Sequence, residues 1–277
     1  MTNNNDITYD EHAPLVSVIT PTFNAEGSIR DTIESVLEQT FTNFEVIVVD
    51  DCSQDQTVEI IQDFVNQDAR VKCIQLETNQ GAAIARNTAI DHAQGRYIAF
   101  LDSDDLWFPD KLEKQLTFMQ ENDVAFSFTK YVRMRDDGSL TSNISRAPET
   151  VGYSDLMKHC VIGCLTVMID REKTGKIAMK NIRRRQDYAL WLTLTSEGYL
   201  AYGIPEVLAK YRLGSNTVSS NKFKAAKGQW FVYRKIEKQN LLKSAYYFMH
   251  YATHGLKNKL KSSKKTRSDG SIGGANQ

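Results

Sequence analysis

Long apolar runs are missing from this chain: nowhere do about 18 apolar residues follow one another, so no segment reads as a membrane-spanning helix. A secretory leader is not expected either, since the first residues, MTNNNDITYDEH, are polar and acidic. Cysteine is scarce. The four present (Cys52, Cys73, Cys160, Cys164) are too scattered for a disulfide scaffold, and a reducing cytosol is the simplest expectation. His159, Cys160 and Cys164 lie close together, but no second ligand pair accompanies them, so buried structural thiols are expected rather than zinc. Glycine-rich phosphate loops are also absent. No G-x-G-x-x-G follows the first strand pattern and no G-x-x-x-x-G-K-[ST] occurs, which argues against NAD enzymes and P-loop ATPases. Net charge is zero, with 34 Lys+Arg against 34 Asp+Glu, and the sum speaks against an anionic partner. The distribution says the opposite: residues 222–277 carry 13 basic and 2 acidic side chains, and residues 1–221 carry 21 and 32.

What remains is an ordinary globular composition, 41% hydrophobic and 25% charged, which excludes wholesale disorder and suits one large domain with a small appendage. From Leu15 two patterns alternate. Leu15–Thr20 is a short β-branched run that Pro21 is expected to end. Ile29, Ile33, Val36 and Leu37 then recur at helical spacing. Phe44–Val49 reads as a second buried strand, and Val58, Ile61, Phe64 and Val65 mark a second helix. Val71–Leu76 and Tyr97–Leu101 read as further strands, separated by a helix with a small-residue face (Ala82, Ala85, Ala89, Ile90, Ala93). Pro109 is expected to open the next helix, with Leu112, Leu116 and Met119 inward. Four strand–helix units in succession predict an α/β fold, a mostly parallel, doubly wound sheet whose ligand site lies at the carboxyl ends of its strands. Beyond Val124 the alternation changes. Val124–Arg135 and Leu140–Ile144, joined by Asp136-Asp137-Gly138, read as an antiparallel excursion. Gly163–Ile169 and Val207–Arg212 read as strands, and Tyr188, Trp191, Leu192 and Thr195 as one face of a helix beginning near Asp187. The division expected is a polar tail (1–13), a main domain (14–221), a basic aromatic helical appendage (222–262) and a disordered tail (263–277).

The strongest chemical signal is Asp102-Ser103-Asp104-Asp105, three carboxylates in four residues at a strand end. Such a cluster repels itself, and hard carboxylate oxygens select Mg²⁺ or Mn²⁺, typically shared with substrate phosphates. A solvated turn capping the next helix through Asp105 or Asp110 is the alternative. The second signal is Asp50-Asp51-Cys52-Ser53-Gln54-Asp55. Ser53 or Asp55 is expected to cap the second helix, which leaves Asp51 to point at a ligand, where a carboxylate accepts hydrogen bonds from a nucleotide base or ribose.

VSVITPTFN (16–24), VVDDCSQD (48–55), Asn79-Gln80-Gly81 with Ala85-Arg86-Asn87, and GRYIAFLDSDD (95–105) occur in the order and spacing of the family 2 glycosyltransferases. The chain resembles that family closely over residues 14–115 and more loosely to 221. The resemblance implies the glycosyltransferase A fold and transfer of a sugar from a nucleotide-diphosphate donor with inversion. It divides the main domain into a nucleotide-binding half (14–122) and an acceptor-binding half (123–221). Pro21, Thr22 and Phe23 would line the nucleotide pocket with Glu26 close by, Asp51 would bind the base, most often uracil, and Gly81 and Arg86 would help order that pocket. Asp102-Ser103-Asp104 matches the family's D-x-D element, with Asp102 towards ribose and metal, Ser103 beside the nucleotide, and Asp104 as the direct ligand of Mn²⁺ or Mg²⁺. Arg183–Trp191 resembles the family's Glu-Asp element, which makes Asp187 the catalytic base, with Gln186 in place of the usual Glu. Asp187 as N-cap of its own helix is a compatible alternative. Tyr211–Lys222 resembles the Tyr-Arg…Ser element that ends this domain, without the His that some relatives place there, and Arg212 and Lys222 are its candidate diphosphate contacts.

Trp230–Leu260 mixes Trp230, Phe231, Tyr233, Tyr246, Tyr247, Phe248 and Tyr251 with lysines and runs into a lysine-rich tail. Aromatics and lysines at helical spacing suit an amphipathic segment on an anionic leaflet, and a helix pair packed on the domain with a solvated basic face is the alternative. No RNA-binding signature accompanies the charge, and no nucleic-acid partner is expected. The expectation is a metal-dependent inverting glycosyltransferase, peripheral on the cytoplasmic face of the plasma membrane. It would move a sugar from a UDP-sugar to a glycan or polyisoprenoid-linked acceptor in surface polysaccharide biosynthesis. A sugar nucleotidyltransferase needs a glycine- and lysine/arginine-rich loop after its first strand, which Pro21–Gly27 does not supply. A non-catalytic membrane-docked scaffold is opposed by the intact Asp51, Asp102, Asp104 and Asp187.

Overall fold

The computed structural model describes residues 13–214 and 222–253. The expected polar N-terminal tail, the Ser215–Asn221 part of the Tyr-Arg…Ser element and the basic tail from 254 lie outside the described residues. The alternating patterns of the first half fold as β1 (Val16–Thr22), α1 (Ile29–Leu37), β2 (Phe44–Asp50), α2 (Thr57–Gln67), β3 (Val71–Gln75), α3 (Ala82–His92) and β4 (Tyr97–Phe100). These strands pair in parallel in the order β3-β2-β1-β4. Because side chains alternate along a strand, Val16, Val18, Val46 and Val48 pack with Ile29, Ile33 and Ile61 of α1 and α2, whereas Ile19, Ile47 and Val49 pack with Ala85 and Ala89 of α3. Burial on both faces is why the strands read as near-continuous apolar runs. The chain reverses its direction of travel across the sheet between β1 and β4, so a crevice opens at their carboxyl ends.

The second half supplies β5 (Leu106–Trp107), α4 (Lys111–Glu121), β6 (Phe126–Met134), β7 (Leu140–Ile144), β8 (Thr150–Val151), α5 (Tyr153–Lys158), β9 (Met168–Asp170), α6 (Arg171–Thr174), α7 (Gln186–Ser196) and β10 (Ala201–Arg212). The sheet continues from β4 as β9-β6-β10-β5, with β7 on β6 and β8 on β10. β9 is antiparallel to both β4 and β6, and this double reversal restores the common direction in β6 and β10. The end of β10 therefore lies at the same edge of the sheet as the end of β4. The hairpin of β6 and β7 is the antiparallel excursion expected from the turn residues.

Several local readings are corrected by tertiary context. Pro21 does not end β1. It pairs with Val49, and the strand runs on to Thr22, whose carbonyl accepts the Asp51 N–H (2.8 Å). Pairing with β4 stops at Ile19, and Pro21 faces that side, so its missing N–H leaves no ladder bond unmade. The expected strand Gly163–Ile169 is a strand only from Met168. Cys164–Thr166 coils into a 3-10 turn in which Thr166 Oγ1 donates to the Gly163 carbonyl (2.7 Å), a local bond that competes with sheet pairing. Pro109 stands in the turn before α4 rather than inside it, and the two-residue β5 is too short to show a period. Asp105 is no cap. It is buried and accepts the Arg212 N–H (2.9 Å), while Asp110 holds the N-cap position of α4 and pairs with Lys114 (2.7 Å). Lys111, also fully buried, has its Nζ 3.7 Å from the Trp107 ring centroid with no hydrogen-bond partner, and burial pulls its pKa well below the usual lysine range.

α7 is buried almost all round rather than on one face. Trp191 sits between Phe100 of β4 (centroids 5.8 Å) and Phe126 of β6 (5.3 Å), which ties this helix to the middle of the sheet. Truncating a fully buried Trp of this kind costs about 3–5 kcal/mol. Arg185 holds the N-cap position, so Asp187 is not the cap but the second residue of the helix, where the macrodipole still favours a negative charge. At the C-terminus, α8 (Lys222–Phe231) continues through a π-helical turn (Val232–Ile236), and a further helix, α9, covers 241–253. This pair shares the core of the main domain. Val232 and Tyr233 are fully buried, Tyr233 donates its hydroxyl proton to the Met157 carbonyl (2.6 Å), and Trp230 meets Phe248 edge-on.

Candidate active site

Four turns meet at the carboxyl edge of the sheet. The turns after β1 and β2 are stitched together. Asn24 accepts the Gln54 N–H (2.8 Å), Ser53 Oγ accepts the Asn24 N–H (2.8 Å), and Glu26 accepts the Gln56 N–H (3.0 Å). Asp55 accepts from Thr57 (2.5 Å to its hydroxyl) and from the Glu26 N–H (3.2 Å), a structural duty, but neither it nor Ser53 caps α2: the N-cap position falls on Gln56 because the helix begins only at Thr57. Pro21 and Thr22 are buried at the strand end, and Phe23 is 46% exposed. Asp51 is buried, and both its oxygens accept backbone protons, from Gln80 and Gly81 (2.7 Å each). The carboxylate that sequence reasoning aims at the ligand also holds the start of α3. Gly81 has φ 90°, a conformation that side chains strain, and this lets the loop fold back onto Asp51 before the helix begins.

The centre of the site is Arg86, on α3 and only 5% exposed. Its Nη2 donates to Asp102, while its Nε is buried without a partner. Burial works against its charge, but the contact with Asp102 and, more weakly, the charge of Asp187 outweigh it and raise the pKa. Asp187 therefore lies within electrostatic reach of the residue that grips Asp102, although these two carboxylates come from opposite halves of the sequence. Beside them, burial pushes the Cys160 thiol up to about 12 and the Cys164 thiol well above its ordinary value, with Asp187 adding to both. Both thiols are thus held protonated as packing groups.

Asp104 is half-buried, and burial followed by the Asp102 charge raises its pKa. Asp105 is raised further by burial and by its two neighbours. The loop is fastened from two sides. Ser28 Oγ donates to the Ser103 carbonyl (2.8 Å), and Arg212, at the end of β10, donates Nε to the Asp104 carbonyl (2.9 Å) and Nη2 to Asp31 of α1 (3.0 Å). Arg212 is expected from sequence at the diphosphate; its Nε and Nη2 are instead committed to the loop and α1. The side chain of Lys222, the other candidate, lies outside the described residues.

Asp102 and Asp104 suit a divalent cation. They are hard oxygen donors one residue apart, and Asp102 keeps a third of its side chain exposed. Among the described residues no three His, Cys, Asp or Glu side chains are arranged to hold a metal by themselves. A cation here would need further ligands from a diphosphate and water, the usual habit of Mg²⁺.

Sequence reasoning assigned no role to Asn87, although it quoted the residue beside Arg86, and did not single out Asp31. Asn87 donates to the Met179 carbonyl (2.9 Å) and accepts its N–H (2.7 Å), pinning the segment that leads into α7. Asp31 gains its place only through its spatial partner Arg212.

A mostly parallel sheet with paired carboxylates at its switch point and no glycine-rich phosphate loop has the arrangement that the resemblance implies for nucleotide-sugar transferases with the glycosyltransferase A fold. Comparison with known proteins agrees. The sequence profile described as Glycosyl transferase family 2 matches residues 17–178. The chain is 55% identical over 247 residues to the "Putative teichuronic acid biosynthesis glycosyltransferase TuaG" of Bacillus subtilis, covering 89% of this chain and 98% of that one. It is 40% identical over 244 residues to the "UDP-Glc:alpha-D-GlcNAc-diphosphoundecaprenol beta-1,3-glucosyltransferase WfgD" of Escherichia coli, covering 88% and 94%. Among solved structures, residues 1–349 of S. aureus TarS in complex with UDP-GlcNAc share the fold, with a TM-score of 0.64 at 24% identity, over 79% of this chain and 66% of that one. The mannosyltransferase PcManGT of Pyrobaculum calidifontis, in complex with GDP-Man and Mn2+, does so with a TM-score of 0.65 at 20% identity, over 98% and 78%. The chain belongs to glycosyltransferase family 2, of the bacterial surface-polysaccharide type.

Proposed function

We propose that the protein transfers a sugar from a UDP-sugar, with inversion, to a hydroxyl of a lipid-linked or growing glycan at the cytoplasmic face of the plasma membrane. The observation that carries this reading is the buried Arg86, which grips Asp102 and senses the charge of Asp187. One guanidinium thereby feels both acids, Asp102 by direct contact and Asp187 through its charge alone. Asp187 takes the proton of the acceptor hydroxyl as that oxygen bonds to the anomeric carbon. The bond from that carbon to the diphosphate oxygen breaks on the opposite face, and its electron pair leaves with the nucleotide. Pro21, Thr22 and Phe23 border the nucleotide, Asp51 binds the base while holding Gln80 and Gly81, Asp102 faces the ribose, and Ser103 lies beside the nucleotide. Asp104 and Asp102 would hold Mn²⁺ or Mg²⁺, whose charge would neutralise the departing diphosphate. The UDP donor and the lipid-linked acceptor are supported by what the name of WfgD says of that protein. The metal is supported by the pair of hard oxygen donors, and PcManGT, which shares the fold, is itself a complex with Mn2+.

The test pairs two variants. Asp187→Asn is expected to lower transfer by about 10²–10⁴-fold while UDP binding with Mn²⁺ stays near wild type. Asp104→Ala is expected to lose the Mn²⁺-dependent part of UDP binding in calorimetry. Near-normal turnover of Asp187→Asn would remove the base from this reading.

A further inference from the structure

α9 is apolar on two opposite sides. Its inward positions, Ser244, Tyr247, Phe248 and Tyr251, follow the i, i+3, i+4, i+7 spacing and are buried or half-buried against the domain. Its outward positions follow the same spacing half a turn away. Leu241 is 61% exposed, Leu242 83%, Tyr246 48% and Met249 62%, with the small, exposed Ala245 between them. A helix that is hydrophobic all round is normally covered all round, and among the described residues nothing covers this outward stripe. Lys243 on the same helix, and Lys235 and Lys238 in the segment just before it, are exposed. The region from 222 onward carries 13 basic and 2 acidic side chains, a balance that disfavours a second copy of the same basic face and matches a negative surface.

We propose that Leu241, Leu242, Tyr246 and Met249 form a docking face that inserts into the headgroup boundary of an anionic phospholipid bilayer, with Lys235, Lys238 and Lys243 on the lipid phosphates. This rests on the reading of a lipid-linked acceptor and changes its residues. Tyr233, Tyr247 and Phe248, which the composition suggests for the membrane, are spent on packing the helix pair to the domain, and the lipid-facing side chains are mainly aliphatic. The face also stands where a lipid-linked acceptor needs it. On the inward side of the same helix, Tyr251 lies beneath the Arg185 guanidinium (5.7 Å) and accepts a hydrogen bond from it (3.3 Å), two residues before Asp187. One helix, about 10–12 Å across, separates the lipid surface from Arg185, the N-cap of the helix that carries the candidate base.

The test is sedimentation of the full chain with vesicles of phosphatidylglycerol and phosphatidylcholine, against phosphatidylcholine alone. The wild type is expected to bind only the anionic vesicles and to be released by high salt. Leu242→Asp with Met249→Asp is expected to lower the partition coefficient by more than about tenfold, and Lys238→Glu with Lys243→Glu to lower it severalfold. Both sites of substitution are exposed, and a Mn²⁺-UDP thermal shift equal to wild type shows that the variants fold. Equal partitioning of wild type and the Asp variant overturns the proposal. So does a wild type that binds no vesicle and sediments as a dimer which the Asp variant dissociates, because a second copy then covers the face. Absence of the thermal shift in the wild type counts against the donor site instead, and leaves the lipid result to stand by itself.

Discussion

The two halves of the main domain hold their functional acids in different ways. In the first half every such residue follows a strand, and the turns hold one another through short polar contacts: Asn24 with Gln54, Glu26 with Gln56, Asp51 with Gln80 and Gly81. In the second half the acid sits on a helix, and apolar packing places it: Trp191 against Phe100 and Phe126, and Tyr188 with its hydroxyl on the Leu156 carbonyl (2.8 Å). A polar turn tolerates change in its neighbours as long as its own bonds survive. A packed helix moves as a unit when any wall moves. The candidate acids of the first half are therefore held locally and that of the second half globally, and the Arg86 guanidinium feels the charge of both.

The largest effect should come from removing that guanidinium. Arg86→Met is expected to lower transfer by at least about 10²-fold, impairing both UDP binding and the base step, and to reduce stability by about 2–3 kcal/mol. That figure is below the full cost of breaking a buried pair because Asp102 keeps contact with water. Urea unfolding and steady-state kinetics measure the two losses, and a variant that lost only donor affinity would break the link between the halves. A smaller effect should follow Arg212→Ala, which frees the carboxylate loop from β10 and α1. UDP binding with Mn²⁺ is expected to weaken about tenfold, with partial rescue in Arg212→Lys, read by calorimetry. Unchanged binding would place Arg212 outside the donor loop's support.

The smallest effect concerns stability alone. In the unfolded chain the Lys111 ammonium keeps its proton to about pH 10.4, whereas in the fold burial makes it give the proton up at much lower pH. The unfolded state therefore holds the extra proton across that window, and stability should rise with pH through it. Lys111→Met is expected to flatten this rise and to add about 1–3 kcal/mol at neutral pH by removing an unpartnered buried donor. Melting curves at a series of pH values check both.

The legibility of the sequence follows the same division. Asp102, Asp104 and Asp51 were readable because each follows a short β-branched run, and a strand end is a local event that a local pattern reveals. The roles of two acids on this rim still needed neighbours. Asp51 read only as a ligand contact and is also a clasp for Gly81, and Asp105 read as a candidate helix cap and is a buried acid held by the Arg212 backbone. In the second half Asp187 was found through resemblance. Periodicity around it showed one apolar face, where the fold buries nearly all sides, since no local pattern records how many neighbours a helix will have.

The order of strands and helices, the acidic rim and the basic C-terminal region were determined by the sequence alone, because burial patterns and charge are properties of single segments. Only the tertiary structure decided that Arg86 joins Asp102 to the vicinity of Asp187, that Arg212 fastens the donor loop, and which side of α9 is left uncovered. Each of these depends on segments far apart in the chain meeting in one place, and that meeting is set by the packing of the whole sheet rather than by any residue's immediate neighbours.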